Sequence, residues 1–338
     1  MLFLIVNASE QIKNSIFVIN ILIMKKIIGL LTLAVLLNSC DDGDLTQENI
    51  NFDEVAVQKC TQNNLLFKLN ENEALIFEAN AILFPTQTID QEFTISPTNR
   101  VVYRFYNNVV STETICETIA PATPVVTDQW SASGGNIIIK TTAVKTTDDK
   151  DNSSKISGYR HNITFKNITF IKSNGGTQVY ETFIFGDYVI GATALPFAFN
   201  KILKQCPISK QLYDRNSSEA FILDIDPTLV VNVATPLNSP RIGLISDTKN
   251  KLTYRLFSGL LTDDYFCKTL FPATPPIVEE WIAVPGVENI SGSIEVTTTV
   301  FGNGFKHTVV IKKARLKKGN SDFLLGDNYI YGELLTTN

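Results

Sequence analysis

An internal duplication constrains this chain more than any other feature of its sequence. The segment that begins at Cys60 aligns without a gap with the segment that begins at Cys206, at an offset of 146 residues. A second block, residues 103–130, aligns with residues 254–281 at an offset of 151. Because the shared landmarks keep the same order, we expect both copies to fold in the same way.

Each copy has the size of a self-sufficient domain. The landmarks imply copies of about 130–140 residues, which is a usual domain size, and two copies are too few for a solenoid. We therefore predict two tandem homologous domains over residues 52–190 and 201–338. Residues 191–200 between them are few and apolar, so we predict a linker that lets the domains touch.

The last landmarks of the alignment change register. His161 matches His307 at the offset of 146, whereas Gly186-Asp187 is matched with Gly326-Asp327 at an offset of 140. The copies are thus expected to differ only in the segments between their shared landmarks.

The residue pattern within each copy is that of β-structure. Alternating, β-branched and aromatic runs recur between turns that contain glycine, asparagine or proline. Several short strands at such spacing predict an all-β fold, either an antiparallel β-sandwich or a barrel. The predicted strands are 74–79, 101–106, 136–142 and 161–170, with counterparts at 220–225, 251–257, 293–300 and 307–316.

One short helix is predicted in each copy, at residues 111–119 and 262–270. Each segment opens with a hydroxyl residue suited to an N-cap, Ser111 or Thr262, and acidic residues follow in the first turn. Pro-Ala-Thr-Pro then ends each helix, because the residue before a proline avoids the helical conformation.

The N-terminal residues have the order of parts of a secretory signal. Met24-Lys25-Lys26 is followed by an apolar-to-small run over residues 27–37. The run leads into Leu37-Asn38-Ser39-Cys40, which resembles the signal peptidase II lipobox of bacterial lipoproteins. This resemblance implies that residues 1–39 are a signal peptide, with translation starting at Met24. The alternative is that residues 1–23 form part of an uncleaved amphipathic anchor.

The same resemblance implies that Cys40 carries lipid and holds the chain at a membrane surface. Residues 40–51 are polar and acidic, as in a flexible tether. Asp41-Asp42-Gly43-Asp44 resembles the surface-export signal of some Gram-negative lipoproteins. In other lineages an aspartate directly after the cysteine resembles an inner-membrane retention signal instead. We expect a cell-envelope protein at the outer membrane, facing either the periplasm or the outside.

The charge of the chain excludes one class of partner. The sequence has 29 basic and 34 acidic residues, a formal net charge of −5. Nucleic-acid binding needs a basic surface, so we expect no nucleic-acid partner.

Four further cysteines fall at equivalent positions, two in each copy. This equivalence selects the pairs Cys60–Cys116 and Cys206–Cys267 from the three possible pairings. Disulfides persist in an oxidising compartment such as the one beyond the inner membrane. The competing interpretation, a metal site of four cysteines, has no CxxC spacing to support it.

Candidate chemistry in the sequence is sparse. His161 and His307, the two histidines of the chain, occupy equivalent positions at the start of a strand. Each could supply one ligand to a shared metal site, although a structural hydrogen bond is the commoner role. No His–Ser–Asp arrangement, EF-hand spacing or phosphate-binding glycine loop is present, so we predict no cofactor.

Two acids and two tryptophans complete the weak ligand candidates. Asp224 and Asp226 lie two residues apart on a predicted strand, a spacing that suits a calcium site or the acid and base of a glycosidase. The alternative is a solvated polar face of an edge strand. Trp130 and Trp281 could stack on sugars if exposed, but their shared position favours the core of each domain.

These features together predict a lipid-anchored envelope protein without catalytic activity. Its expected role is to bind a glycan or another envelope protein, or to serve as a structural spacer at the membrane surface. The alternative is a secreted hydrolase that uses Asp224, Asp226 or other carboxylates, for example on a glycan. A buried carboxylate with a raised pKa in a cleft would favour the enzyme, and an exposed apolar patch would favour the binder.

Overall fold

The computed structural model describes residues 50–268, 270 and 272–337. The predicted signal peptide, the predicted lipidation site Cys40 and nearly all of the predicted tether lie outside these residues. The described part of the chain confirms the all-β prediction, because it forms nineteen strands, all paired antiparallel, and only short helical segments. From Asn51 onward the chain forms one compact unit.

The first repeat forms one eight-stranded sheet. Its strands run in the order β1-β2-β3-β5-β6-β7-β8, and β4 pairs with the later part of β6. β6 is long enough to pair with β5 near its start and with β4 further along, whereas β7 pairs with β6 on one side and with β8 on the other. The strands are β1 (Gln58–Lys59), β2 (Leu65–Asn70), β3 (Glu73–Glu78), β4 (Asp90–Thr94), β5 (Arg100–Tyr106), β6 (Val126–Asp148), β7 (Ser153–Ile171) and β8 (Thr177–Gly191).

The second repeat divides the same arrangement between two sheets. One has the order β18-β17-β14-β13-β11-β10-β9 and the other β12-β15-β16-β19. The strands are β9 (Lys204–Gln205), β10 (Leu212–Arg215), β11 (Glu219–Asp224), β12 (Arg241–Leu244), β13 (Lys251–Phe257), β14 (Ile277–Ala283), β15 (Ser293–Phe301), β16 (Gly304–Lys312), β17 (Arg315–Lys318), β18 (Ser321–Leu324) and β19 (Tyr329–Thr337).

The two sheets of the second repeat share one apolar core, as in a β-sandwich. Phe221 and Tyr254 enter this core from the larger sheet, and Val296 and Val309 enter it from the smaller one. Alternate residues of β15 and β16 are buried, which is the period-2 pattern of a sheet with one wet face. The alternation read from the sequence therefore reports the buried face correctly.

The strand register corrects one match of the sequence alignment. Gly186 lies opposite Ile163 at a β-bulge between β7 and β8, with φ of 123°. The residue in the same place of the second repeat is Gly332, opposite Val309 at the bulge between β16 and β19, with φ of 153°. The match of Gly186 with Gly326 is therefore wrong, and the offset of 146 continues to the last strand.

The predicted helices are shorter than expected. In the first repeat α1 (Thr112–Cys116) is an α-helix that begins after Ser111, whose side chain takes part in a capping box. In the second repeat only a 3-10 turn, Asp263–Tyr265, forms at the equivalent place. Cys267 has φ of 62°, a left-handed conformation that a right-handed helix cannot contain. Two further 3-10 turns, Ala81–Leu83 and Pro227–Leu229, also occupy equivalent places.

The chain between the repeats contributes to the core of the second. Phe197 stacks on Tyr254 with ring centroids 4.3 Å apart, and Phe199 packs on Phe221. Two buried carboxylates hold the backbone here: Glu219 accepts from the N–H groups of Phe197 and Ala198, and Asp214 accepts from that of Lys201. We call residues 195–203 the strap.

An elongated hairpin of the first repeat packs on the second repeat. Beyond the Thr141–His161 pair, β6 and β7 continue to Asp148–Ser153, whereas the equivalent hairpin of β15 and β16 ends three pairs after Thr298–His307. We call residues 145–157 the hairpin arm. Its contacts with the second repeat include the Lys145–Asp322 ion pair, the Ser154 hydroxyl accepting from the N–H of Leu324, and Ile156 packing on the second core.

Candidate functional site

Both histidines are buried and form hydrogen bonds with threonine side chains of the same repeat. His161 is fully buried, its Nδ1 lies 2.8 Å from Thr141 Oγ1, and burial lowers its pKa to about 4. Among the described residues its Nε2 has no hydrogen-bond partner. Rings of Phe84 and Tyr188 lie against it. A neutral imidazole in this apolar setting suits the core and not a solvent-accessible ligand.

His307 repeats the arrangement in the second repeat. Its Nδ1 lies 2.9 Å from Thr298 Oγ1, and its Nε2 lies 3.1 Å from Thr336 Oγ1. Burial, and then the charge of Arg241, lower its pKa. Within the part of the chain that the structure describes, no group of three or more His, Cys, Asp or Glu residues could hold a metal ion.

The two tryptophans are buried at equivalent places. Trp130 and Trp281 donate from Nε1 to Asp128 (2.9 Å) and Glu279 (3.1 Å), respectively. Both indoles are almost entirely covered, so neither offers a face for a sugar ring. In each repeat a lysine also lies over the indole ring, Lys172 over Trp130 and Lys318 over Trp281.

Asp224 and Asp226 do not face each other as an acid–base pair. Asp224 is exposed and accepts from Gln211 Nε2. Asp226 lies beyond the strand end, where its carboxylate caps the following 3-10 turn through the N–H of Thr228 and pairs with Lys249. These hydrogen bonds hold the pKa of Asp226 below its usual value. The Asp226 carboxylate therefore has a local structural role.

The predicted disulfides are confirmed. Cys60 and Cys116 are bonded, as are Cys206 and Cys267, with S–S distances of 1.95 and 1.99 Å. Each disulfide joins the start of a repeat to the connection that follows β5 or β13. These connections carry exposed aliphatic side chains in both repeats.

Each repeat exposes aliphatic side chains in that connection, at equivalent positions. Val109 is 68% exposed and its counterpart Leu260 is 79% exposed; Ile119 is 88% exposed and its counterpart Leu270 is 84% exposed. Single exposed apolar residues are common on protein surfaces. Here the aliphatic side chains are exposed at the same two positions in both repeats, so the repeats share an exposed apolar surface.

Hydrogen bonds hold the backbone that carries these side chains, and we call this hydrogen-bonded backbone the frame. In the first repeat the N–H of Val110 donates to the carbonyl of Glu71 in the β2–β3 turn, and Asn107 and Val125 exchange two hydrogen bonds. In the second repeat a depression of about 510 Å³ lies beside the exposed Leu260, with Tyr265 and Pro275 in its wall. We call these two surfaces loop end 1 (around Val109 and Ile119) and loop end 2 (around Leu260 and Leu270).

A second candidate is the buried Asp214. Burial raises the pKa of its carboxyl to about 6, and it lines a small cavity of about 180 Å³ beside Arg215. Its Oδ2 accepts from the N–H of Lys201 at 2.7 Å, so the carboxylate holds the strap in place. The equivalent residue of the first repeat is Lys68, so the two repeats do not share this acid.

Sequence reasoning did not select the loop-end residues. Ile119 and Leu270 end the helices predicted from the sequence, and only their solvent exposure in the structure marks them as part of a surface. A usable signal was present, since Val109/Leu260 and Ile119/Leu270 remain apolar in both copies within segments that have no strand pattern.

Comparisons with known proteins add no identity. No known protein family, curated protein sequence or solved structure matches this chain. None of the helices among the described residues is long and apolar enough to cross a bilayer.

Proposed function

We propose that this chain is a lipid-anchored, non-enzymatic protein of the bacterial cell envelope that binds partner proteins through its loop ends. The observation that carries the proposal is the matching exposure of Val109 with Leu260 and of Ile119 with Leu270. Exposed apolar side chains that recur on a braced frame are typical of interaction surfaces.

The chemistry of the exposed side chains favours a protein partner over a glycan. Sugar recognition relies on the flat faces of aromatic rings, and both tryptophans are buried against carboxylates. The loop ends instead present branched aliphatic groups, which fill apolar depressions on other proteins. The partner class proposed here is therefore protein.

The membrane attachment rests on the sequence. The lipobox-like Leu37-Asn38-Ser39-Cys40 supports lipidation of Cys40, and the acidic composition of the residues that follow supports a role as a tether. An acyl chain on Cys40 would hold both loop ends within reach of other envelope proteins. We propose the outer membrane as the location.

A hydrolase is the second candidate, because Asp214 has the raised pKa of a proton donor. The hydrogen bond from the strap to Asp214 gives a structural reason for the burial of this carboxylate. The described residues that line the small cavity beside it include no second carboxylate. Retaining and inverting glycosidases need two carboxylates across the scissile bond. Binding therefore remains the better-supported function.

Photo-crosslinking in the native cells tests the proposal. A photoreactive side chain replaces Ile119 or Leu270 in separate variants, and adducts are identified by mass spectrometry. Ile184, which is 63% exposed on a sheet face, gives the matched apolar control. We expect one defined envelope-protein adduct from a loop-end position and none from Ile184. Equal adducts from all three positions, or none from any, would contradict the proposal.

A further inference from the structure

We propose that loop end 1 takes a cationic, apolar protein segment, whereas loop end 2 takes a neutral apolar one. This inference rests on the proposed function and specifies the chemistry of the partner. It comes from the charges that surround the same aliphatic positions in the two repeats.

Loop end 1 is built from residues 60–64, 70–73 and 106–126, which meet at the disulfide and at the β2–β3 turn. These segments contain four acids and no lysine, arginine or histidine. The acids are Glu71, Glu73, Glu113 and Glu117. Glu113 lies in the first turn of α1 and Glu117 directly follows the helix; both are exposed, as is Ile119 two residues after Glu117.

The nearby bases of the first repeat have contacts elsewhere. The exposed Lys59, next to Cys60, has its Nζ 5.9 Å from the centroid of the Tyr188 ring. Lys68 is buried, Arg104 donates to Gln129, and Lys172 lies over the Trp130 ring. The hydrogen bond from Ser111 keeps the pKa of Glu113 below its usual value, so this carboxylate stays ionised at neutral pH. Loop end 1 therefore presents negative charge next to exposed aliphatic groups.

Loop end 2 has the same frame and a different charge. Its equivalent segments, 206–210, 216–219 and 257–277, contain Lys210 and Lys268 beside three acids. Two of these acids are already bonded: Glu219 is buried under the strap, and Asp263 pairs with Lys204 and Arg215. Lys268 occupies the place of Glu117, so the exposed charge around Leu260 and Leu270 is close to balanced.

Charge complementarity then selects the occupant of loop end 1. A partner with lysine or arginine next to aliphatic residues would satisfy both the acids and the apolar groups. An anionic bilayer surface would be repelled by the four acids and is excluded as the occupant. The same argument predicts that salt weakens binding at loop end 1 and leaves binding at loop end 2 nearly unchanged.

Fluorescence anisotropy with two defined probes tests this inference on the full chain beyond the signal peptide. One probe is a labelled peptide of alternating lysine and leucine, and the other alternates glutamate and leucine. We expect the lysine peptide to bind about tenfold more tightly or better, with an affinity that falls as ionic strength rises. The double variant Glu113→Gln/Glu117→Gln should weaken this binding by about tenfold.

The second repeat supplies the matched controls. Asp264→Asn changes the residue equivalent to Glu113 and should leave lysine-peptide binding unchanged, whereas Lys268→Glu should add a second salt-dependent site. Equal binding of both peptides, or equal loss in Asp264→Asn and in the Glu113→Gln/Glu117→Gln variant, would overturn the inference. Binding to anionic vesicles that depends on Ile119 would also overturn it. Crosslinking at Ile119 to a protein without a basic segment would overturn it and leave the proposed function standing.

Discussion

His161 should make the fold sensitive to acid, and the size of the effect follows from its burial. The imidazole is fully buried and neutral, with a pKa lowered from 6.5 to about 4. As the pH falls through 6.5, the unfolded chain binds a proton that the folded chain does not bind until about pH 4. The unfolding free energy therefore falls as the pH drops below 6.5. The loss is about 2 kcal/mol at pH 5 and about 3 kcal/mol below pH 4.

Asp214 titrates in the same range with the opposite sign. Its pKa is raised from 3.8 to about 6, so the folded chain binds this proton first as the pH falls. The unfolding free energy therefore gains about 1.5 kcal/mol from Asp214 at pH 5, and this gain would mask most of the loss from His161. An Asp214→Asn background removes the opposing contribution, and the asparagine oxygen can still accept from the N–H of Lys201.

The assay compares Asp214→Asn with Asp214→Asn/His161→Gln by chemical denaturation at pH 7.5 and pH 5. The single variant should lose about 2 kcal/mol more unfolding free energy than the double variant on this change of pH. His307 is present in both proteins and cancels in the comparison. An equal loss in both proteins would refute the argument, because it would mean that His161 is not kept neutral by burial.

Three further predictions concern stability. Replacing Cys60 and Cys116 by serine should lower the unfolding free energy by about 4 kcal/mol, and a reductant should then have a smaller effect on the melting temperature than in the unmodified chain. Asp226→Ala and Asn80→Ala each remove the cap of an equivalent 3-10 turn and should each cost about 1 kcal/mol in denaturant titrations; no cost in either would contradict the capping role. Ile119→Ser should change the unfolding free energy by less than about 0.5 kcal/mol, since the side chain is 88% exposed, and a larger loss would mean that the loop is covered.

Local patterns in the sequence predicted the parts of the structure that depend on local chemistry. The period-2 alternation at residues 293–300 identified the buried face of β15, because a strand turns successive side chains to opposite faces. The equivalence of Cys60 with Cys206 and of Cys116 with Cys267 identified both disulfides, because copies of one fold bring the same positions together.

Features that depend on which strands pair, and in which register, could not be predicted from the sequence. Gly186 and Gly326 both precede an aspartate, and only the bulge opposite Ile163 shows that Gly332 is the true counterpart. The loop ends were missed for a related reason. An apolar residue such as Ile119 reads the same in sequence whether a neighbouring segment covers it or leaves it in water.

The hairpin arm makes the two copies dependent on each other. Ile156 belongs to the first repeat by sequence but packs on the core of the second, while the strap that precedes β9 carries Phe197 into that same core. A chain cut within residues 191–200 would therefore expose apolar surface on both fragments. Each copy alone would lack packing that the rest of the chain supplies, so deletion of either copy should destabilise the one that remains.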